Sequence, residues 1–372
     1  MTTSPTGSVL VLTGLHDVTA DVVLRILAER QVPVVRLDPG TDLHTGAALT
    51  ATYRTGDQRG TLRTPTRELD LTAVRSVWTR RPSPYEGPPE LDGEERRFAA
   101  SQSLWGVGGI LASLPGAHYV NHPWNNRAAE HKPAQLATAQ RCGLSVPSTL
   151  ITNDHDQARE FAARHSGAVV YKPLWNTPCA IDGAAQQVWV REVRPHEITP
   201  AVAVCPHLFQ AKVEKAFDVR LTAVGSRVFA VRIDSPDLDW RQRQSLMECT
   251  PIAVPARIAR SVSAYLDAFR LVFGAFDFAV TPAGDWYFLE CNPNGQWAWQ
   301  PDPVTDSIGH ALADELQKGR GDEPAPADNG AQARPRQPGL LPPRPSSGDR
   351  PPVTVQEHGD VPEPLQASPC RE

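Results

Sequence analysis

Residues 273–295, FGAFDFAVTPAGDWYFLECNPNG, hold two almost wholly apolar runs of strand length separated by Pro, Ala, Gly and Asp. Turn residues between two β-prone runs favour local antiparallel pairing, and runs this apolar demand cover on their faces. The chain is thereby committed to a buried hairpin here. Each run carries a single acid, Asp277 and Glu290. With Pro282–Asp285 as a four-residue loop, Thr281 faces Trp286, Asp277 lies opposite Glu290, and strand alternation turns Asn292 to the side of Glu290. Like charges across a hairpin repel, and a divalent cation between them removes the conflict. Two carboxylates and an amide oxygen suit Mg²⁺, or Mn²⁺ in its place, rather than zinc, and Mg²⁺ so held usually shares its shell with substrate phosphates. The alternative is a solvated acidic edge; Phe276, Phe278, Phe288 and Leu289 around the acids weigh against it.

A second hairpin occupies residues 217–233, FDVRLTAVGSRVFAVRI. A three-residue loop, Gly225-Ser226-Arg227, aligns its apolar odd positions and sets Arg220 opposite Arg232 on a polar face with Asp218. Two guanidinium groups on one face predict a bound polyanion, since Arg presents planar paired donors to phosphate or carboxylate. Local pairing with Asp218 or Asp234 explains them equally well. Lys172 ends the strand-like AVVYK and precedes Pro173, so it is either a strand-end lysine reaching for water or a fixed cation. Lys132 lies on a helix after the polar loop NHPWNN, and Lys212 and Lys215 close LFQAKVEK.

Around these hairpins the chain divides. From Val9, an apolar run, a turn with Gly14 and Asp17, an amphipathic stretch to about Arg30 and a second apolar run make a βαβ opening. Strands near 48–54 and 74–79, a helix near 93–113 and a strand at 117–121 complete an α/β domain over residues 8–120. No G-x-G-x-x-G follows the first strand, so the dinucleotide fingerprint is missing. Residues 121–318 mix long helices with hairpins, an α+β pattern with antiparallel sheet. Residues 319–372 hold 12 of the 36 prolines and no Phe, Trp or Tyr, too little apolar surface to offset ordering; they and residues 1–7 are expected to be disordered.

The balance of 37 basic against 42 acidic residues gives no global positive field, which argues against a nucleic-acid partner. No apolar run approaches the roughly 18 residues of a membrane span, and the start lacks a signal-peptide pattern. A soluble, cytoplasmic protein is expected. Six cysteines without a C-x-x-C pair argue against structural zinc and a disulfide framework.

Taken in order, NNRAAEHKPAQLATAQRCGLSVPST, VVYKP, LFQAKVEK, FDVRL and FDF…FLECNPNG resemble the ATP-grasp ligases over residues 9–317. VWTRRP, VLVLTG and NPNGQWAW resemble more narrowly the ATP-grasp ribosomal peptide maturases of the microviridin and graspetide type. The resemblance implies a pre-ATP-grasp domain followed by an ATP-grasp fold with two antiparallel-sheet subdomains, and ATP and Mg²⁺ as cofactors. It implies that Lys132 and Lys172 hold phosphates, that Gln210, Lys212 and Val213 line the adenine hinge, and that Lys215 and Asp218 lie near the ribose or acceptor. Arg220, with Arg232 and Lys215, would serve the transferred phosphate, and Asp277, Glu290 and Asn292 the metals. Arg80, Arg81 and Trp240 are candidates for substrate contacts, a buried structural ion pair being the other reading of the arginines. Trp240, Trp286, Trp297 and Trp299 are either core or a peptide groove, and His122 and His131 read as capping or polar surface residues. Two departures from the family pattern stand out: Ala211 follows the hinge Gln where many relatives have Glu, and the covering segment PLWNTPCAIDGA is poor in glycine.

The implied reaction is ATP-dependent activation of peptide Asp or Glu side chains as acyl phosphates, followed by ω-ester or ω-amide ring formation. The implied partner is a ribosomal precursor peptide rich in Thr and Asp/Glu, with a homodimer left open. A carboxylate–amine ligase for free amino acids or a protein terminus is the nearer alternative. A non-catalytic, nucleotide-regulated peptide-binding module is the more distant one.

Overall fold

The computed structural model describes residues 7–175, 179–181, 184–186 and 188–319. Apart from Gly7 and Gly319, the termini expected to be disordered lie outside these residues, as does part of the segment expected to cover the nucleotide.

The opening βαβ forms as the apolar runs dictate. Ser8–Thr13 lies between Val34–Leu37 and Val74–Arg81, and His118–Val120 completes a four-stranded parallel sheet. The helix Val18–Glu29 starts at Asp17, whose carboxylate accepts from the Thr19 and Ala20 amides. The sheet is apolar on both sides because both are covered. Leu10, Leu12, Val35 and Leu37 pack under a small antiparallel sheet, while Val9 and Val11 pack on Val18–Glu29 and the C-terminal helix Asp302–Gln317. That small sheet contains Ala48–Arg54, Asp57–Arg63 and Glu68–Asp70. Its last two strands escape the sequence pattern because Asp57–Arg63, DQRGTLR, has one apolar side chain, Leu62, and that alone is buried.

Two larger antiparallel sheets follow, besides the two-stranded pair Cys179–Ile181 and Ala184–Gln186. One orders Arg191–Val193, Val169–Lys172, His207–Ala211 and Thr149–Thr152, with the helix His155–Arg164 packed through Phe161 and Ala158 on Phe209 and Val169. The other has five strands in the order Glu248–Ile252, Arg227–Asp234, Phe217–Val224, Phe273–Val280, Trp286–Asn292. One of its faces presents Val219, Leu221, Phe276, Phe278 and Phe288 to the helices Lys132–Arg141 and Ala256–Phe269. The opposite face is apolar at Val224, Val231, Ile233, Phe273 and Ala275, where Asp302–Gln317 and its neighbours cover it. The uncovered remainder of that face carries the charged residues. Among the described residues, no helix is long and apolar enough to cross a membrane.

Buried Asn121 joins the N-terminal sheet to this face. Its amide donates to Phe273 O (2.9 Å) and Pro293 O (3.1 Å), and its oxygen accepts from the Val272 and Phe273 amides (2.7 and 2.8 Å). Four bonds to backbone at both ends of the acid-bearing hairpin fix where that hairpin sits, since a buried amide left unpaired is costly.

Candidate active site

Asp277 is paired with Glu290, as the sequence required, but by a different route. The loop is three residues rather than four: Thr281 N donates to Asp285 O (3.0 Å), with Gly284 in the left-handed region at φ +85°. Val280, not Thr281, therefore faces Trp286, and this register alone would set Asp277 against Leu289. A bulge between Asp277 and Phe278 on the one strand, Phe288 and Glu290 on the other, leaves Leu289 unpaired and restores the acid pair. The bulge also changes which side the even positions take. Trp286 and Phe288 enter the helix-covered core, whereas Glu290 and Asn292 turn to the uncovered face, Asn292 Nδ2 lying 3.3 Å from Glu290 Oε1.

The acids line a cavity of about 380 Å³ that also reaches Lys132, Lys172, Gln210, Lys212, Val213 and Trp240. Lys132 Nζ pairs with Glu290 Oε2, and Arg241 Nη1 lies 3.1 Å from Glu290 Oε1. Arg220 Nη1 sits 3.2 Å from Asp277 Oδ1 and its guanidinium lies over the Trp240 and Trp299 rings at 5.3 and 5.9 Å. Burial would raise the Glu290 carboxyl, but Lys132, Arg241 and Lys172 overcome it and hold it well below the usual range. For Asp277 burial prevails over Arg220, and with Glu290 opposite it rises to about 6. Burial lowers the Lys172 ammonium to about 8, with Glu290 opposing the shift and Lys132 adding to it.

Arg241 and Asp239 are site residues that the sequence reasoning missed. Arg241 holds Asp239 through two bonds (2.8 and 2.9 Å) while reaching Glu290. The alternation of acid, Trp and Arg in DLDWRQR, residues 237–243, is the one local sign of them.

Other expectations meet mixed fates. The Arg hairpin turns on two residues, Gly225 and Ser226, so Val224 pairs with Arg227 and Arg232 faces Val219 instead of Arg220. A one-residue slip sends Arg232 to the other face. There it forms a two-point pair with Asp234 (both 2.7 Å) over the Phe217 ring, the local alternative, and does not reach the cavity. Arg80 is 2% exposed, pairs with Asp17 (3.3 Å) and donates to Asn294 O, so it joins two parts of the chain rather than offering itself to a substrate. Its neighbour Arg81 is exposed and lines the cavity. Lys215 pairs with buried Asp218 and donates to Leu238 O (2.8 Å). In the hinge, Gln210 Nε2 donates to Thr149 Oγ1 (2.9 Å) and the Lys212 amide to Ala168 O (2.9 Å), so that amide is already engaged. Trp240, Trp286 and Trp297 are core and Trp299 packs partly buried against it; the Trp240 and Trp299 rings meet tilted at 5.0 Å beside Arg220. His122 caps the helix Pro123–Ala129 and His131 Nδ1 lies 2.8 Å from Arg127 O.

The donor set fits a divalent metal. Hard oxygens from Asp277, Glu290 and Asn292 share one face, and buried Asp277 Oδ1 accepts no well-directed hydrogen bond.

Residues 8–127 match the family model described as the MvdD pre-ATP grasp domain. No curated protein matches the chain. Among solved structures, a Chryseobacterium gregarium RiPP-associated ATP-grasp ligase, in complex with ADP and a leader and core peptide, is 28% identical with a TM-score of 0.77, covering 83% of this chain and 96% of its own. The Microcystis aeruginosa macrocyclase MdnC, bound with precursor peptide MdnA, is 25% identical (TM-score 0.74; 83% and 98% covered). The macrocyclase MdnB of the same organism is 28% identical (TM-score 0.69; 83% and 99%). Residues 8–127 thus carry an MvdD pre-ATP-grasp domain, and the parallel N-terminal sheet leading into larger antiparallel sheets, with paired acids and bases on the uncovered face, makes the chain similar in fold to the ATP-grasp ligases of ribosomal peptides.

Proposed function

We propose that the chain is an ADP-forming ligase that activates Asp or Glu side chains of a ribosomally made precursor peptide and joins them to hydroxyl or amino side chains as ω-esters or ω-amides. The observation that carries this reading is the Asp277–Glu290–Asn292 face inside a cavity ringed by Lys132, Lys172 and Arg241, with Arg220 paired to Asp277 behind it. Relatives that cover 83% of the chain and are solved with ADP or precursor peptide support the substrate class.

In this reading Lys132 and Lys172 hold the nucleotide phosphates, and the hinge strand His207–Ala211 and Val213 border the base. Asp277, Glu290 and Asn292 would hold Mg²⁺, which when bound screens the charge on the phosphates. Arg220, held over the Trp240 and Trp299 rings, is preorganised to donate to the phosphoryl group in transfer. A peptide carboxylate oxygen attacks the γ-phosphorus and ADP leaves, giving an acyl phosphate. A hydroxyl or amine then attacks the acyl carbon, its proton passes to solvent or a nearby base, and inorganic phosphate departs. Positioning and electrostatics supply the rate, since no covalent enzyme intermediate is needed.

Incubation with ATP, Mg²⁺ and a candidate precursor peptide rich in Thr and Asp/Glu tests the proposal. The expected product has lost one water per ring by mass spectrometry, with one ADP released for each. ADP release with free amino acids, and an unmodified peptide, would transfer the reading to a free amino acid ligase.

A further inference from the structure

We infer that Gln135 is a positioning residue that sets the aim of the metal-binding acids, and this inference rests on reading Asp277, Glu290 and Asn292 as metal ligands. Trp286–Asn292 is the edge strand of its sheet; its outward side meets an isolated bridge at Ser145, where Phe288 N donates to Ser145 O (2.8 Å), and, among the described residues, no further strand beyond it. At Cys291, between the two candidate ligands, a side chain takes the partner's place. Gln135 Oε1 accepts from Cys291 N (3.0 Å) and Gln135 Nε2 donates to Cys291 O (2.8 Å). The second proton of the same amide goes to Ala129 O (2.7 Å), at the end of the preceding helix.

Both donors are therefore used within a site that is only 4% exposed. No other side-chain type of this size offers one acceptor and two donors in that geometry. Because Gln135 grips both polar groups of Cys291, it fixes the backbone on either side of that residue, where Glu290 and Asn292 project to the opposite face from Cys291. The same helix carries Lys132 one turn earlier, and Lys132 pairs with Glu290. One amide thus sets the aim of the acids and the distance from them to a phosphate-binding lysine. Outer groups that orient ligands are worth about 10- to 100-fold in metal affinity.

The test is Mn²⁺ binding to the ADP-loaded full chain, read as loss of the free-ion electron paramagnetic resonance signal. Wild type is compared with Gln135→Met, Gln135→Glu and Glu290→Gln, each checked for a cooperative melt, and ADP affinity without metal is measured alongside. Gln135→Glu keeps the length and the acceptor but loses both donors, and serves where Gln135→Met does not fold. We expect the Mn²⁺ Kd to rise about tenfold in the folded Gln135 variants with metal-free ADP affinity within about twofold of wild type. An unchanged Mn²⁺ Kd in those variants, with Glu290→Gln abolishing the ion's binding, overturns the role of Gln135 alone. Unchanged Mn²⁺ binding in Glu290→Gln overturns the metal reading itself, and this inference with it.

Discussion

Lys172 gives the pocket a pH dependence that can be worked out in advance. Burial brings its ammonium down from the ordinary 10.5 to about 8, against the pull of Glu290 and with repulsion from Lys132 and Arg241; Asp239 also favours the charged form. A group at about 8 is roughly nine-tenths protonated at pH 7 and one-tenth at pH 9. If the charged form is the one that holds a phosphate, nucleotide binding takes up a proton near pH 8. Metal-free ADP should then bind about tenfold more weakly at pH 9 than at pH 7. Titration calorimetry in two buffers of different ionisation enthalpy reads both quantities, the affinity and the proton taken up. Lys172→Met should bind ADP more weakly at pH 7 and show no slope between pH 7 and 9. A wild-type affinity that is flat over this range, or the same slope in Lys172→Met, refutes the assignment. The sign for folding is separate: between about 8 and 10.5 the unfolded chain binds the extra proton, so Lys172 makes the free protein more stable as pH rises through that window.

Arg220→Lys keeps a positive charge beside Asp277 but loses the flat fork over Trp240 and Trp299; a drop of about 100-fold in kcat for ADP formation is expected, with far less change in nucleotide Kd. Arg80→Met leaves the Asp17 carboxylate, 8% exposed, without its cation and should cost about 3 kcal/mol in urea unfolding, and an unchanged midpoint would contradict the ion-pair reading. Arg232→Ala, on the far face with Asp234, should leave ADP formation within about twofold of wild type, since surface pairs contribute little; a large loss would return Arg232 to the site.

Much of this was legible from local sequence, and the failures have local causes too. The βαβ opening and both hairpins follow from apolar runs and turn residues. Glycine followed by serine is a favoured two-residue hairpin turn, and Gly225 takes φ +55°, so the turn that separates Arg220 from Arg232 was written in the sequence but read one residue too long. In the metal hairpin a misread loop was cancelled by a bulge. Strict alternation would have put Trp286, Phe288, Glu290 and Asn292 on a single face, and no pattern of seven residues announces that Leu289 drops out of the ladder. Arg241 was missed because its meaning lies in Glu290, 49 positions away, and Gln135 because its partner is backbone 156 positions away.

The ion pairs of the cavity floor have a thermodynamic consequence. Glu290 is engaged by Lys132 and Arg241, Asp277 by Arg220, Asp218 by Lys215 and Asp239 by Arg241. A nucleotide arriving by itself must draw cations away from these acids, and a divalent ion must draw acids away from these cations. Arriving together, each releases the groups that the other wants. The two should therefore bind with mutual synergy, and the factor by which Mg²⁺ tightens ADP must equal the factor by which ADP tightens Mg²⁺.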